Sequence, residues 1–461
     1  MNKVSSVCSG LVKAVDKKKI LLDTLCAILL ALCPLLQNYK GIFVDARATA
    51  LIILAPYILI RFWLENKVNW WLVLPLICFG VCKIFDDGTS IAELGREGLV
   101  CLFLLAAASG VVNTKVFIRA ITSIALVASA LILIQYVCYY IFDFHLQLAP
   151  TSLFLKSSQQ WVGLAQTGKI SILGNPMKMY RPSAFFLEPA HMAIYCTPSV
   201  LFLLLKPNFS KRRGIAAAIV TLGVFACTSG LGIVLCVGIW FLFLAFYFGE
   251  TFGDKPISLG KIKIKGISIK EFSFKGIPFG KKRIAAFKFK GYYFRPINVA
   301  FVLSMFVALI LAYICVPVFR NSINRIIFTN GGYNAIAGRT NSGMKAVAGL
   351  QGFEWLVGKA VPGPESEKYM SAFYQMIYKY GLIGFGLSYV FYVTSLIKLK
   401  REYFWMALMV LGLSYFSVHT HGSAYLLFFC FLLLEGHKTC GTDDPKNLAI
   451  SIHPLAWKNK D

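Results

Sequence analysis

The 461-residue sequence contains few charged residues. Charged side chains make up 15% of the chain and hydrophobic side chains 57%, against about 25% and about 45–50% in an ordinary globular protein. It also has no Cys-x-x-Cys pair and no Cys/His spacing of the kind that binds metal, although it has 13 cysteines. This composition argues against a soluble enzyme, and it indicates that the cysteines pack in apolar surroundings.

Long hydrophobic runs are abundant instead. They recur in blocks of about 17–22 residues, the length that crosses a hydrocarbon core of about 30 Å. We therefore predict an all-α polytopic membrane protein with about twelve transmembrane helices, forming a single integral membrane domain over residues 1–461. The predicted spans are 20–36, 48–62, 70–85, 99–112, 120–142, 189–205, 214–229, 231–248, 297–318, 373–397, 403–418 and 423–434. Between the seventh and eighth spans, Thr228-Ser229-Gly230 predicts either a very tight hairpin or one broken helix.

Basic residues outnumber acidic ones, with 47 Lys and Arg against 21 Asp and Glu. In a membrane protein this excess reports orientation rather than a nucleic-acid partner, because Lys and Arg concentrate in cytoplasmic loops. Placing both termini in the cytoplasm puts 32 of the 47 basic residues on the inner side. We therefore predict two long loops on the outer face, 143–188 and 319–372, and a basic insertion on the cytoplasmic face, 249–296.

The insertion 249–296 alternates Lys with Ile or Phe and repeats Lys-Gly at 265–266, 275–276 and 290–291. A period of two predicts a β-ribbon with one basic and one apolar face. Its twelve basic residues would attract it to anionic membrane lipid, at about 1 kcal/mol per charge near the surface. The alternative is a solvated linker with no role beyond topology.

The most distinctive string, GNPMKMYRPSAFFLEPAHMAIY, ends the first outer loop at 174–195. Arg181, Glu188 and His191 lie there at the mouth of the sixth span, and ionisable groups at membrane depth usually face a cavity and serve a function. Glu188 has a structural alternative as a simple N-cap, because it precedes Pro189 at a helix start. His191 has one as an ordinary interfacial histidine.

The second outer loop carries Arg339 and Lys345 in a Gly-rich amphipathic segment. Such a segment can approach a phosphate closely, and arginine pairs with phosphate in a bidentate geometry. His419 and His421 form a His-x-His pair in the short outer turn between the last two spans. No third ligand is nearby in sequence, so proton transfer or hydrogen bonding is a better prediction for them than metal binding.

These residues carry a family resemblance. The run RPSAFFLEPAH at 181–191 resembles a stretch of bacterial Wzy-type polymerases of O-antigen and capsule repeat units. The strings GRTNS at 338–342, WLVGKAVPG at 355–363 and YKYGLIGFG at 378–386 resemble the later part of the same family. The resemblance implies a GT-C-like membrane fold with two enlarged outer-face loops. It also implies a metal-independent glycosyltransferase without a cofactor.

A polymerase of this family joins oligosaccharide repeat units carried on undecaprenyl diphosphate, at the outer face of the bacterial cytoplasmic (inner) membrane. Cationic groups stabilise the leaving diphosphate, and another group accepts the proton of the attacking hydroxyl. The resemblance implies that Arg181, Arg339 and Lys345 bind the diphosphate and that the catalytic residues are Glu188, His421 and His191. The expected partners are the lipid-linked oligosaccharides, membrane lipid and a chain-length regulator, without nucleic acid.

Three alternatives remain open from the sequence. An O-antigen ligase shares the architecture and chemistry and differs in its acceptor. A polysaccharide flippase or other transporter needs no catalytic carboxylate, but it should have internal repeats or polar groups at mid-membrane, and Asp23 is the only acidic residue within the predicted spans. A purely structural assembly partner is the third.

Overall fold

The computed structural model is predominantly helical. It describes residues 20–42, 45–65, 70–84, 91–108, 111–148, 150–156, 169–172, 175–178, 180–207, 209–247, 296–315, 319–320, 323–324, 335–359, 370–399, 401–417 and 423–440, together with eight three-residue strands between 257 and 294. Every predicted span contains a helix.

The helices are numbered in chain order. They are α1 (Ile20–Leu36), α2 (Ala46–Glu65), α3 (Trp70–Ile84), α4 (Ile91–Ala108), α5 (Thr114–Phe142), α6 (Pro189–Leu205), α7 (Lys211–Ala226), α8 (Gly230–Leu242), α9 (Pro296–Cys315), α10 (Ala335–Ala348), α11 (Glu354–Val357), α12 (Ala372–Lys398), α13 (Arg401–Phe416) and α14 (Ser423–Cys440). Within the described residues, α2, α5 and α12 are long and apolar enough to cross a membrane, and six shorter apolar helices accompany them. The length and composition of these helices are those of a membrane protein. The number of spans, twelve, remains a prediction.

The ends of α5 illustrate how polar residues extend a helix past its apolar run. Hydropathy places its start at residue 120, but the helix begins at Thr114 because the side chain of Asn113 caps it, accepting the Val116 N–H at 3.2 Å. At its other end Asp143 adopts the left-handed conformation, with φ 49°. A residue in that conformation commonly ends a helix and turns the chain away.

A tight turn joins α7 to α8. Thr228 has φ 53°, a conformation that is rare for a β-branched residue and costs free energy. Gly232, in the first turn of α8, approaches so closely that a Cβ there would lie 2.7 Å from a side-chain carbon of Val224 in α7. The segment therefore forms a hairpin of two helices rather than one broken helix.

The connections predicted to face outward meet at one end of the helical assembly, which we call the loop end. The chain after α1 meets the chain before α6 there, because the Tyr39 hydroxyl donates to the Phe185 carbonyl oxygen at 2.5 Å. The end of α13 meets the start of α12, since the Ala372 N–H donates to the Ser417 carbonyl oxygen at 2.8 Å. These contacts are those expected if successive helices alternate in direction.

The opposite end, which we call the basic end, contains arginines that close the carboxyl end of α6. Arg401 donates from Nε to the Leu205 carbonyl oxygen at 2.8 Å. Arg213 donates to the carbonyl oxygens of Phe202, Lys206 and Pro207. The last carbonyls of a helix lack partners within the helix, and a cation there also favours the helix dipole. These two residues therefore stabilise the fold as well as adding to the charge bias.

Two pairings of charge tie neighbouring helices together. Asp23 of α1 pairs with Arg61 of α2 at 3.7 Å, so the one acidic residue of the predicted spans has a structural partner. At the loop end, buried Asp45 pairs with Arg47 at 3.0 Å and with Arg96 of α4 at 3.9 Å. Because a buried carboxylate is costly without partners, Asp45 links the start of α2 to the start of α4.

In the second outer loop, α11 packs against a break in α12. Gly381 interrupts α12 with φ 61°, and Gly358 follows α11 with φ 81°. A Cβ on Gly381 would lie 2.2 Å from the Leu356 carbonyl oxygen, so only glycine permits this approach. The Lys359 N–H donates to the Tyr378 carbonyl oxygen at 2.7 Å, a hydrogen bond from outside the helix. The strings WLVG and YGLIG therefore form one contact.

Short antiparallel strands lie in two of the long connections. In the first outer loop, β1 (Lys169–Ile172) pairs with β2 (Asn175–Lys178). The insertion contains β3 (Ile257–Leu259), β4 (Ile262–Ile264), β5 (Ile267–Ile269), β6 (Phe272–Phe274), β7 (Ile277–Phe279), β8 (Lys282–Ile284), β9 (Phe287–Phe289) and β10 (Tyr292–Phe294). β3 pairs with β4 alone.

The other six strands of the insertion form three antiparallel pairs. β5 pairs with β10, β6 with β9 and β7 with β8, and the residue numbers of every pair have the same sum, so one register runs from Ile267–Phe294 to Phe279–Lys282. The predicted β-ribbon is thus confirmed for the backbone. The strands begin every five residues, and two residues separate each from the next.

Candidate functional site

The string that ends the first outer loop is folded into the helical assembly at the loop end. Gln135 of α5 is fully buried. Its amide donates to the Leu146 carbonyl oxygen at 2.8 Å and accepts the Ala184 N–H at 2.9 Å. A buried hydrogen bond contributes about 1 kcal/mol, and an unmade one costs more. Gln135 therefore fixes both ends of the loop against the same helix.

Arg181 is held by the turn between α7 and α8. Its Nε donates to Oγ1 of Thr228 at 3.2 Å, and Thr228 is the buried residue with the unusual backbone conformation. Burial lowers the pKa of Arg181, while Cys227 and Glu188 act in the opposite direction. An arginine remains protonated after such a shift. The structure thus places a partly desolvated cation at the loop end, where its attraction for an anion is stronger than in bulk water.

Glu188 is the residue before α6, as the sequence predicts, but its side chain makes no capping hydrogen bond. The N-cap alternative is therefore not supported by the geometry. The carboxylate is half-buried and lies within electrostatic range of the Arg181 guanidinium and of the Tyr425 hydroxyl. A carboxylate and a guanidinium therefore share one region of the loop end.

His191 lies one turn into α6 and is only 5% exposed. Its Nδ1 is 3.5 Å from the side-chain amide nitrogen of Asn38, and its carbonyl oxygen accepts the Tyr425 hydroxyl at 3.1 Å. The histidine thus connects the chain after α1 with α6 and α14. Glu188, half-buried where His191 is buried, is the more accessible of the two candidates.

The other predicted site residues belong to the second long loop and to the turn before α14, which the structure describes only in part. Arg339 is in α10, where the structure describes its backbone, and Lys345 is exposed on the same helix. α10 packs on α12 at Gly343, where a Cβ would lie 2.6 Å from the Tyr374 side chain. His421 and His419 fall outside the described residues. Because its side chain is exposed, Lys345 is accessible to an anion at the surface.

Two residues that organise this site were not predicted. Gln135 had a signal in the sequence, since a lone amide in an apolar span is costly unless it has partners. Thr228 had a signal for the turn, which Thr228-Ser229-Gly230 predicts, but none for its hydrogen bond to Arg181, because that contact depends on how the turn packs against the loop before α6. Within the described residues, no group of three His, Cys, Asp or Glu side chains is arranged to hold a metal ion.

The site that the structure assembles is therefore a guanidinium and a carboxylate at the loop end, fixed by Gln135 and Thr228. The arrangement can bind an anion and accept a proton beside it. Comparison with protein-family models and with curated proteins finds no match to this chain.

Proposed function

We propose that this chain is a membrane glycosyltransferase of the Wzy type. It joins undecaprenyl-diphosphate-linked oligosaccharide repeat units into a surface polysaccharide, O-antigen or capsule, at the outer face of the cytoplasmic membrane. The observation that carries the proposal is the position of Arg181 and Glu188. One is a desolvated cation and the other a carboxylate without a capping role, and they lie within electrostatic range of each other at the loop end.

The proposed reaction is a substitution at the anomeric carbon of the growing chain. A hydroxyl oxygen of the incoming repeat unit forms the new carbon–oxygen bond while the bond to the diphosphate oxygen breaks. Glu188 accepts the hydroxyl proton, and undecaprenyl diphosphate leaves with the bonding electron pair. Arg181 stabilises the negative charge that develops on the leaving diphosphate, with Arg339 and Lys345 assisting from the second loop. Donors fixed before the reaction avoid reorganisation in the transition state.

In this proposal the chain has a GT-C-like fold of twelve spans. Its loop end faces outward, and both termini lie in the cytoplasm. Support comes from the basic residues, which concentrate at the opposite end. Gln351 is exposed in the second outer loop, and Lys211 is exposed at the basic end. In intact cells, an impermeant thiol reagent should label Gln351→Cys and should label Lys211→Cys only after permeabilisation. The reverse pattern would invert the topology.

Purified protein in liposomes provides the direct test of the activity. The substrate is lipid-linked oligosaccharide extracted from cells that lack this protein, and EDTA is present because the proposed reaction uses no metal. We expect a ladder of lengthened chains and release of undecaprenyl diphosphate, both absent from a matched Arg181→Ala preparation. Transfer to a different acceptor without lengthening would identify a ligase. Movement of unmodified substrate across the bilayer would identify a transporter.

A further inference from the structure

A group of aromatic side chains lies at the loop end, outside the residues to which the proposed reaction gives a role. They come from the last two turns of α5 and from both ends of the loop that follows it. We call them the aromatic cluster: Tyr136, Tyr139, Tyr140, His145 and Tyr180. Tyr139 and Tyr180 are stacked with ring centroids 4.4 Å apart, and the His145 ring lies edge-on to Tyr180 at 5.0 Å.

The remaining members complete one continuous surface. The ring of Tyr140 lies 4.4 Å from that of Tyr136 and 5.1 Å from that of Tyr139. The contact of Tyr136 with Tyr140 follows from the helix, since residues four apart lie on the same face. Each ring of the aromatic cluster therefore contacts at least one other ring, across two separate segments of the chain.

The support for the aromatic cluster is rigid. Gln135, one residue before it in α5, holds Leu146 and Ala184 by the two hydrogen bonds described above. Asp143, in the left-handed conformation, turns the chain between Tyr140 and His145. A surface that is fixed before binding loses little conformational entropy when a ligand arrives. The rings are thus positioned by the fold rather than by a ligand.

The aromatic cluster is accessible and adjoins the cation of the site. Tyr140 is 43% exposed, Tyr139 is half-buried and His145 is exposed. Tyr180 is only 1% exposed, so it supports Tyr139 from within. It directly precedes Arg181, and consecutive Cα atoms are about 3.8 Å apart. The aromatic cluster and the cation of the site are therefore carried by neighbouring residues of one chain segment.

We propose that the aromatic cluster binds a sugar ring of the lipid-linked oligosaccharide, an assignment that rests on the proposed function. One face of a hexose carries several C–H bonds, and the face of an aromatic ring is its electron-rich side. In the substrate, the first sugar is bonded directly to the diphosphate. If Arg181 holds the diphosphate, that sugar must lie within a few ångströms of it, where the aromatic cluster begins.

A belt of tyrosines at the membrane interface is the other common use of such residues. The packing of these rings favours sugar binding over a role in such a belt. Tyr180 comes from the loop rather than from a helix, it is buried, and its ring covers Tyr139 where a belt residue would contact lipid. Phe144 lies beside the aromatic cluster in sequence and is 57% exposed, so it serves as the matched control for an exposed ring at the same depth.

The first measurement is steady-state turnover in proteoliposomes. In Tyr140→Ala we expect KM for the extracted lipid-linked oligosaccharide to rise about three- to tenfold, the size expected of one ring contact, with kcat unchanged. Tyr140→Phe and Phe144→Ala should keep the parental KM. An unchanged KM in Tyr140→Ala would overturn the proposal. So would an equal change in Phe144→Ala, or loss of membrane insertion by Tyr140→Ala alone, which would assign the rings to the interface.

The second measurement does not require turnover. Mild acid releases the water-soluble oligosaccharide from its lipid, and saturation-transfer NMR detects its binding to the purified protein. We expect transfer to the sugar protons in the parental protein and in Phe144→Ala, and a loss of transfer in Tyr140→Ala. If the parental protein binds this oligosaccharide but makes no polymer, the proposed function is wrong and the assignment of the aromatic cluster to sugar binding stands. If the parental protein shows no transfer, the assignment of the aromatic cluster to sugar binding is wrong, and the proposed function is not affected.

Discussion

Cells carrying Arg181→Ala are expected to make no polymer and to retain single repeat units on the final acceptor. The guanidinium is held by Thr228 and partly desolvated, so we expect it to stabilise charge on the proposed diphosphate without reorganising. Removing a donor of this kind typically lowers kcat by about 10²–10³-fold. Arg181→Lys should restore the activity only in part, because an ammonium cannot form the bidentate pair. Product length on gels and kcat in proteoliposomes are the measurements.

The hydrogen bond that positions Arg181 gives a companion pair of variants. Thr228→Val keeps the branched shape and loses the hydroxyl, whereas Thr228→Ser keeps the hydroxyl. We expect kcat to fall about tenfold in the first, for the loss of roughly 1.4 kcal/mol, and to stay near the parental value in the second. Arg212→Ala, an exposed arginine at the basic end, is the control. Parental polymer length from Arg181→Ala would remove this arginine from the site.

Glu188→Gln is expected to fold, insert and reach normal abundance while losing polymerisation. The carboxylate makes no capping hydrogen bond, so the amide should leave α6 intact. An amide cannot accept the hydroxyl proton, and general-base catalysis typically contributes about 10²–10⁴-fold. Glu188→Asp should keep part of the rate, since it retains a carboxylate on a shorter side chain. Turnover and thermal stability measured on the same preparations separate the two roles.

The control for Glu188 is another carboxylate of the outer loops. Glu354 accepts the Gln351 N–H at 2.9 Å in α11, and Glu354→Gln should polymerise normally. If Glu188→Gln polymerises at the parental rate, the carboxylate is not the base. Proton acceptance would then pass to His191, His419 or His421.

Hydropathy predicted where helices lie because length and apolarity decide which segments can occupy a hydrocarbon layer. It placed their ends less accurately. α5 begins six residues before the predicted 120, and α4 begins at Ile91 rather than at residue 99. Both extensions contain polar residues that a helix accommodates beyond the apolar layer. Caps such as Asn113 fix these ends. A cap acts through hydrogen bonds to the backbone, which hydropathy does not measure.

The candidate site was predictable where its residues are close in sequence. Arg181 and Glu188 are seven residues apart and share the mouth of one helix, so local reasoning was sufficient. The contacts that hold them come from far along the chain. Tyr39, Gln135 and Thr228 reach the site from the chain after α1, from α5 and from the turn after α7. Pairings of this kind depend on how the helices pack, which no local pattern encodes.

The single register of the ribbon has a consequence for the history of this chain. Ile267 and Phe294 are register partners, so the two ends of the ribbon lie about 4.5–5.5 Å apart. An excursion whose two ends meet can lengthen, shorten or be exchanged without rerouting the helices on either side. Because the strands begin every five residues, the ribbon can grow by duplication of matching five-residue units on its two arms, at constant register. The length of the ribbon can thus change without a change of register in the pairs that remain.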